Sequence, residues 1–261
     1  MVVLSCDIIE RPRKNLVNLA SATDHVVLLE EFTGHYCGNC PLAHGEADKL
    51  SEYFDSNLAI ISIHSGYFAE PVHGPQFGTD YRTPAGNELD LFFDPSTPGY
   101  PTGMINRRNF GSGILQDFIE WGAFVQQAVD ETPEMRIDIV NAYDTITRNL
   151  VITVDLEYFA SASANDRLIV CFTEDSIVSP QKTNDSVIPD YVHRHVLRST
   201  ITNGTWGEVI DGMEISAGEQ YVFHFNCPIR PEWNDKHCAI VAYVADDATK
   251  EIRQAAKEEV R

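Results

Sequence analysis

Val26-Val27-Leu28-Leu29-Glu30-Glu31-Phe32-Thr33-Gly34-His35-Tyr36-Cys37-Gly38-Asn39-Cys40 is the stretch on which the reading of the fold turns. An apolar, β-prone run passes through one bend into two cysteines separated by two residues. Behind them Pro41, Leu42, Ala43, Ala47, Leu50 and Phe54 recur at helical spacing. The pattern predicts a strand over Val26–Phe32 and a helix over Pro41–Asn57 whose first turn carries a dithiol. Backbone N–H groups in a first helical turn lack intrahelical acceptors, and with the helix dipole they favour negative charge. A cysteine there is biased toward thiolate, the nucleophile of disulfide exchange. Cys37, the outer sulfur, is the candidate attacking group, and Cys40, one turn inward, the candidate resolving group.

Working outward, Leu58–His64 is a second apolar run, so strand, helix and strand make a β-α-β unit with parallel strands. Ser65–Asn87 is rich in Gly, Pro and aromatic residues without a period. It reads as a surface excursion with a short helix near Pro75–Tyr81. His64, Tyr67, Phe68, His73 and Phe77 in and beside it suit either a lid over the dithiol or a cover for the sheet edge. A short helix at Glu88–Phe93, a strand at Thr102–Asn106 and an amphipathic helix carrying Ile114, Leu115, Phe118, Trp121, Val125 and Val129 follow. Beyond Pro133 the helical period fades. Arg136–Val140, Asn149–Phe159, Asp166–Glu174, Tyr221–Asn226 and Cys238–Ala245 are β-like, several with one apolar and one polar face, as in an antiparallel sandwich. Glu251–Arg261 is read as an edge strand, although its alanines favour helix.

The 261 residues, 43% of them hydrophobic, suffice for one large or two modest cores. A net charge of −20 opposes binding to a polyanionic backbone, so nucleic acid is not an expected partner. No run is long enough to cross a bilayer as a helix. The start, Val2-Val3-Leu4-Ser5-Cys6, is similar to the end of a lipoprotein signal, with Cys6 as the lipidated residue and the only expected link to a membrane. Residues 7–19 read as a tether. The six cysteines are then the pair Cys37 and Cys40, the anchor Cys6, and Cys171, Cys227 and Cys238, whose pairing the sequence leaves open.

The segment around the dithiol resembles the thioredoxin fold. That resemblance implies that Glu31, six positions before Cys37, lies buried and relays protons to Cys40. It also implies that Pro101 after Tyr100 is cis and, with Tyr36, Tyr100 and Thr102, faces an extended substrate. The active-site dipeptide is Gly38-Asn39, where the cytoplasmic reductant has Gly-Pro. Over most of its length the chain is similar to a narrower group, the thioredoxin-like lipoproteins of Bacteroidetes related to outer membrane protein 28. The matching segments are Glu31–Pro41, Tyr100-Pro101-Thr102-Gly103, Trp233-Asn234-Asp235 and Cys238–Val244. The resemblance implies an exported protein of the cell envelope, periplasmic or anchored to the outer membrane. Its fold would be an α/β thioredoxin-like domain at 20–132 and an all-β immunoglobulin-like sandwich at 133–261.

Other uses of the same residues stay in view. Cys37, Cys40, His35 and His44 have the chemistry of zinc ligands, but all four fall on one turn and one helix, whereas structural zinc sites use separated ligand pairs. A plain structural disulfide suits an oxidising compartment. His44 reads as an ordinary surface residue, and His193 and His195 as one face of a strand whose histidines hydrogen-bond. No Gly-x-Ser-x-Gly elbow and no phosphate loop is present. The expectation is therefore a thiol-disulfide oxidoreductase of the envelope that needs no cofactor or metal. It would act on protein or peptide thiols and disulfides and exchange electrons with a separate redox partner. The competing expectation is a non-catalytic binding or assembly protein on the same scaffold. Sulfurs buried beneath the Ser65–Asn87 excursion, with no groove beside Pro101, favour the second, and an accessible Cys37 beside an open groove the first.

Overall fold

The computed structural model describes residues 7–16, 25–72 and 74–261. Cys6, the expected lipidation site, and His73 lie outside the described residues. The chain divides into two compact units, Met1–Val26 with Glu131–Phe172 and Thr200–Arg261, and Val27–Asp130 with Thr173–Ser199. Strand dominates, with fourteen strands against three α-helices among the described residues.

The first unit holds β1 (Asp7–Leu16), β5 (Met135–Asp144), β6 (Asn149–Tyr158) and β12 (Glu219–Pro228) as an antiparallel sheet of order β1-β12-β6-β5. The rest is β7 (Asp166–Glu174), the short β11 (Glu208–Val209) paired to it, β13 (Cys238–Asp246) and β14 (Ile252–Glu259). Alternation along β6 and β12 turns Leu150, Ile152, Val154 and Leu156, and Tyr221, Phe223 and Phe225, into one core with Leu168, Val170, Phe172, Ile240 and Val244. Cys171, Cys227 and Cys238 are all buried. Residues 7–16, expected as a tether, instead form a strand paired to β12. The last stretch is a strand as expected: β14 pairs with β13 along its length, and tertiary pairing overrides the helical propensity of Ala255 and Ala256.

The second unit holds β2 (Val27–Thr33), α1 (Cys40–Phe54), β3 (Leu58–His64), α2 (Pro84–Phe93), β4 (Thr102–Ile105), α3 (Trp121–Val129), β8 (Ile177–Lys182), β9 (Val187–His193) and β10 (Val196–Thr200). Its sheet, of order β10-β3-β2-β4, is mixed. β2 and β3 run parallel from Val27↔Leu58 to Thr33↔His64, β10 joins β3 in parallel, and β4 lies antiparallel to β2. The expected β-α-β unit is present, with Ala43, Ala47, Leu50 and Phe54 of α1 packed with Leu29, Ile60, Trp121 and Val125. The last expected helix is shorter, starting at Trp121, because Gln116 exchanges both backbone hydrogen bonds with Gly103 and holds the preceding segment against β4.

These features correct the expected fold class. The chain is not a clear α/β thioredoxin-like domain at 20–132 followed by an immunoglobulin-like sandwich at 133–261. Strands, of mixed direction, far outweigh helices, and the unit carrying the dithiol takes β8, β9 and β10 from the stretch assigned to a sandwich. Of these the sequence marks only the run around His193 and His195 as strand, and alternation in any case carries no information about which sheet a strand joins.

Candidate functional site

β2 delivers the chain to the site. After Thr33 it leaves the ladder at Gly34, where any Cβ would lie 2.4 Å from the Phe68 backbone, so only glycine lets the excursion pass this close. Tyr36 N–H donates to the Phe68 carbonyl (3.0 Å) and Cys37 N–H to that of Gly34 (3.0 Å), folding the loop back before α1. Asn39 stands at the N-cap position, Cys40 is the first helical residue, and Cys37 and Cys40 are joined as a disulfide. Cys40 N–H points at Cys37 Sγ (3.2 Å), the helix-start donor the sequence anticipates. Both sulfurs are nonetheless covered, Cys37 being 2% exposed and Cys40 0%.

Against this loop packs the β8–β9 hairpin, from a stretch in which the sequence marks only the run around His193 and His195 as strand. Thr183 and Ser186 close its turn through backbone and hydroxyl hydrogen bonds, and the ladder slips between Ser179 and Gln181, where Pro180 offers no N–H. The buried Gln181 amide donates to the carbonyls of Cys37 (2.9 Å) and Gly34 (3.3 Å), and Lys182 N–H to that of His35 (2.8 Å). Lys182 Nζ sits 4.0 Å from the centre of the Tyr36 ring, a cation–π contact. Asn184 Nδ2 donates to Asn39 Oδ1 (2.6 Å).

The excursion packs on the same loop. Phe77 stacks on His35 at 5.4 Å and meets Tyr36 edge-on at 5.3 Å, and Tyr81 closes against His64 at 5.1 Å and His193 at 5.6 Å. His193 and His195 do not share a strand face. β9 ends at His193, and His195 takes a positive φ of 54° that breaks the alternation. His193 points into the aromatic cluster, whereas the His195 backbone bonds Asp175 and Ser62. His44 is not an ordinary surface residue. Its ring lies between Thr33 Oγ1 (2.7 Å) and Tyr191 OH (2.8 Å), tying β2 to β9 through α1.

Glu31 is buried on β2 and accepts a hydrogen bond from Ser62 Oγ, with Oε2 left unpartnered. Burial raises its carboxyl to about 7, against the lowering effects of Ser62 and His195. Burial likewise pushes His44 down to about 4, His193 down to about 3 and His64 well below the ordinary histidine range. Glu31, His44, His64, Tyr191 and His193 line a cavity of about 10 Å³, room for roughly one water. Among the described residues no three His, Cys, Asp or Glu side chains converge as a metal site. The residues of the zinc alternative are otherwise engaged, the cysteines in a disulfide, His35 on Phe77 and His44 on Thr33 and Tyr191.

The Tyr100–Pro101 bond is cis, as the resemblance implies. Register sets Thr102 opposite Phe32 and Gly103 opposite Glu31, so Pro101 enters where β2 gives way to the loop. Tyr100 and Thr102 have local partners: the Tyr100 hydroxyl donates to Asp90 and meets Ser65 Oγ (2.9 Å), and Thr102 Oγ1 donates to the Gln116 carbonyl (3.0 Å). Thus Glu31, Tyr36, Cys37, Cys40 and Pro101 gather at one end of β2, while Gln181, Lys182, Asn184 and Tyr191 complete the site from a segment that sequence reasoning does not connect to it. The signal available for them is the turn Thr183-Asn184-Asp185-Ser186 between two β-prone runs, which announces a hairpin but not its docking place.

No curated protein matches the sequence. Among solved structures, the chain resembles HBP35 of Porphyromonas gingivalis at a TM-score of 0.70 and 16% identity, over 92% of this chain and 76% of that one. It also resembles a protein of Agrobacterium tumefaciens at a TM-score of 0.55 and 12% identity, over 92% of this chain and 97% of that one. At these identities the likeness is one of fold, and it runs through nearly the whole chain. The profile of the outer membrane protein Omp28 family matches residues 94–261, beginning after both cysteines of the dithiol. That match covers well over half of the sequence, so the protein is one of the cell envelope, associated with the outer membrane, and the chain belongs to the Omp28 family of outer membrane proteins.

Proposed function

We propose that the protein is an envelope thiol-disulfide oxidoreductase acting on protein or peptide disulfides through Cys37 and Cys40. The observation that carries this reading is the disulfide at the start of a 15-residue helix, with Cys40 N–H aimed at Cys37 Sγ. In the reduced protein that N–H and the helix dipole stabilise a Cys37 thiolate. The thiolate attacks one sulfur of a client disulfide, whose S–S bond breaks, and the departing client thiolate takes up a proton. Cys40 then gives up its proton and attacks Cys37 Sγ. The internal disulfide re-forms, and the client leaves as a dithiol carrying the two electrons. Glu31, poised near neutrality, is the proposed acceptor of the Cys40 proton. A separate thiol donor reduces the protein for the next cycle, and a lipid on Cys6 is the proposed tether, detectable as a fatty-acid mass on an amino-terminal peptide.

Burial of both sulfurs favours a second reading, a non-catalytic binding or assembly protein with a structural disulfide. The deciding experiment is trapping of mixed disulfides from envelope extracts by the Cys40→Ser protein, with Cys37→Ser as control. Client adducts that depend on Cys37 are expected. Their absence, together with no exchange with glutathione, would leave the second reading.

A further inference from the structure

We propose that the β8–β9 hairpin is an autoinhibitory cover whose tip, Gln181–Asn184, occupies in cis the face of Gly34–Asn39 on which an extended polypeptide disulfide has to lie. The inference rests on the exchange reading for its consequence and on the hairpin's own hydrogen bonds and packing for its content. The loop offers the carbonyls of Gly34, His35 and Cys37, and the hairpin takes all three, one through a backbone N–H as a paired strand would. Lys182 covers the Tyr36 ring that a client would use as a shoulder. At Gly38 the fit is close enough that a Cβ would fall 2.6 Å from Asn184 Oδ1 and 3.3 Å from its backbone nitrogen. The occupant thus displays what the face recognises: an extended segment bearing a backbone N–H, a side-chain amide and a cation.

The cover is also built to lift. Non-glycine residues with left-handed backbone bound it, Ser176 (φ 58°) before β8 and His195 (φ 54°) after β9, while Tyr191 and His193 hold its base to His44 and the aromatic cluster, so the part that lifts is the tip beyond Ser179. Its turn is closed on itself through Thr183 and Ser186, and Asn184 within it adds one side-chain hydrogen bond to Asn39. Gln181 Oε1 is buried in the closed form without a hydrogen-bond partner and regains water on opening, which offsets part of the cost of breaking the hairpin's hydrogen bonds to the loop.

The test uses the full chain, the Gln181→Ala variant, and a form in which residues 182–187 are replaced by an Asn-Gly turn. Reduction of the Cys37–Cys40 disulfide by glutathione is followed by mass, and exchange of the Lys182 amide hydrogen is followed in the parent chain, where truncation cannot confuse the result. In the parent chain the reduction rate is expected to level off with glutathione concentration, because opening limits it. In both variants it is expected to rise at least tenfold, and the Lys182 amide is expected to lose protection when the disulfide is reduced. Equal rates in all three proteins, or a Lys182 amide equally protected in both redox states, would overturn the cover. Each form is also prepared with Cys40→Ser and offered a peptide disulfide. Faster reduction without any peptide adduct keeps the cover and removes the exchange reading; adducts at equal rates in all forms keep the exchange and remove the cover.

Discussion

The two units bury different chemistry. The core of the first is apolar, set by alternating side chains of β6 and β12 against those of β7 and β13, and the buried carboxylates of Asp166 and Glu157 in that unit are paired with Arg253 and Arg136. The second buries Glu30 against Arg107, Glu31 against Ser62, and His64 and His193 among aromatic rings, with Gln181 as the plug above Cys37. An apolar core responds to volume and hardly to pH. A polar one held together by partners responds to the loss of a partner and to protons. The first unit holds these buried carboxylates in ion pairs, whereas the second adds buried histidines and a Glu31 oxygen without a partner, so the stronger dependence on protons is expected of the second.

Single truncations test the contrast most forcefully. Phe225→Ala in the first unit and Arg107→Ala in the second are each expected to cost about 3–5 kcal/mol in urea unfolding. The reasons differ, a cavity in one case and an orphaned, fully buried Glu30 carboxylate in the other. Adding Glu30→Leu should therefore restore much of the Arg107→Ala loss, whereas no single change elsewhere should repair Phe225→Ala.

Acid should find the second unit next. His44, His64 and His193 have folded pKa values below the unfolded value, so the unfolded chain binds more protons below about pH 6.5 and stability falls as pH drops. Between pH 7 and 5 each contributes a loss of up to about 2 kcal/mol. Glu31 works in the other direction. Its folded pKa is raised, so its contribution is present below the unfolded value of 4.5 and is lost as pH rises through about 7. The net expectation is a loss of about 3 kcal/mol at pH 5, seen first as hydrogen exchange in β8 and β9 while β6 and β12 stay protected. An even loss of protection in both units would break the comparison.

Glu31→Gln sharpens it. The variant is expected to gain up to about 3 kcal/mol at pH 8, where the parent has to bury a carboxylate, and to lose more steeply in acid because the compensating carboxyl is gone. The smallest effect belongs to Tyr191→Phe, which removes the far end of the Thr33–His44–Tyr191 chain. It is expected to cost about 1 kcal/mol and to move the acid midpoint, not the neutral stability of the first unit.

What can be read from the sequence follows the same division. Val27–Thr33, the dithiol helix and Leu58–His64 announce themselves because each satisfies a local rule, an apolar run, a helical period or a parallel neighbour. The strands of the first unit are legible from alternation. Partnership is not, since period-2 patterning is the same whichever sheet a strand joins, and β8 to β10 are for that reason easily given the wrong neighbours. The strand character of residues 7–16 is hidden by Pro12 and a dense mixture of charges, which resemble a tether. In the site, Cys37, Cys40 and Glu31 are legible because their chemistry is local to one strand and one turn. Gln181, Asn184 and Tyr191 act only through backbone carbonyls and single side chains met far along the chain, and no spacing encodes that.

Gln181 lies 144 residues after Cys37. A ribosome adding roughly 5–20 residues per second needs about 7–30 s to make the intervening chain. Throughout that interval the two cysteines exist while the hairpin that bonds their loop has not been made. The two cysteines therefore meet whatever thiol chemistry surrounds the unfolded chain before the hairpin docks, and on the proposed opening of its tip they meet it again.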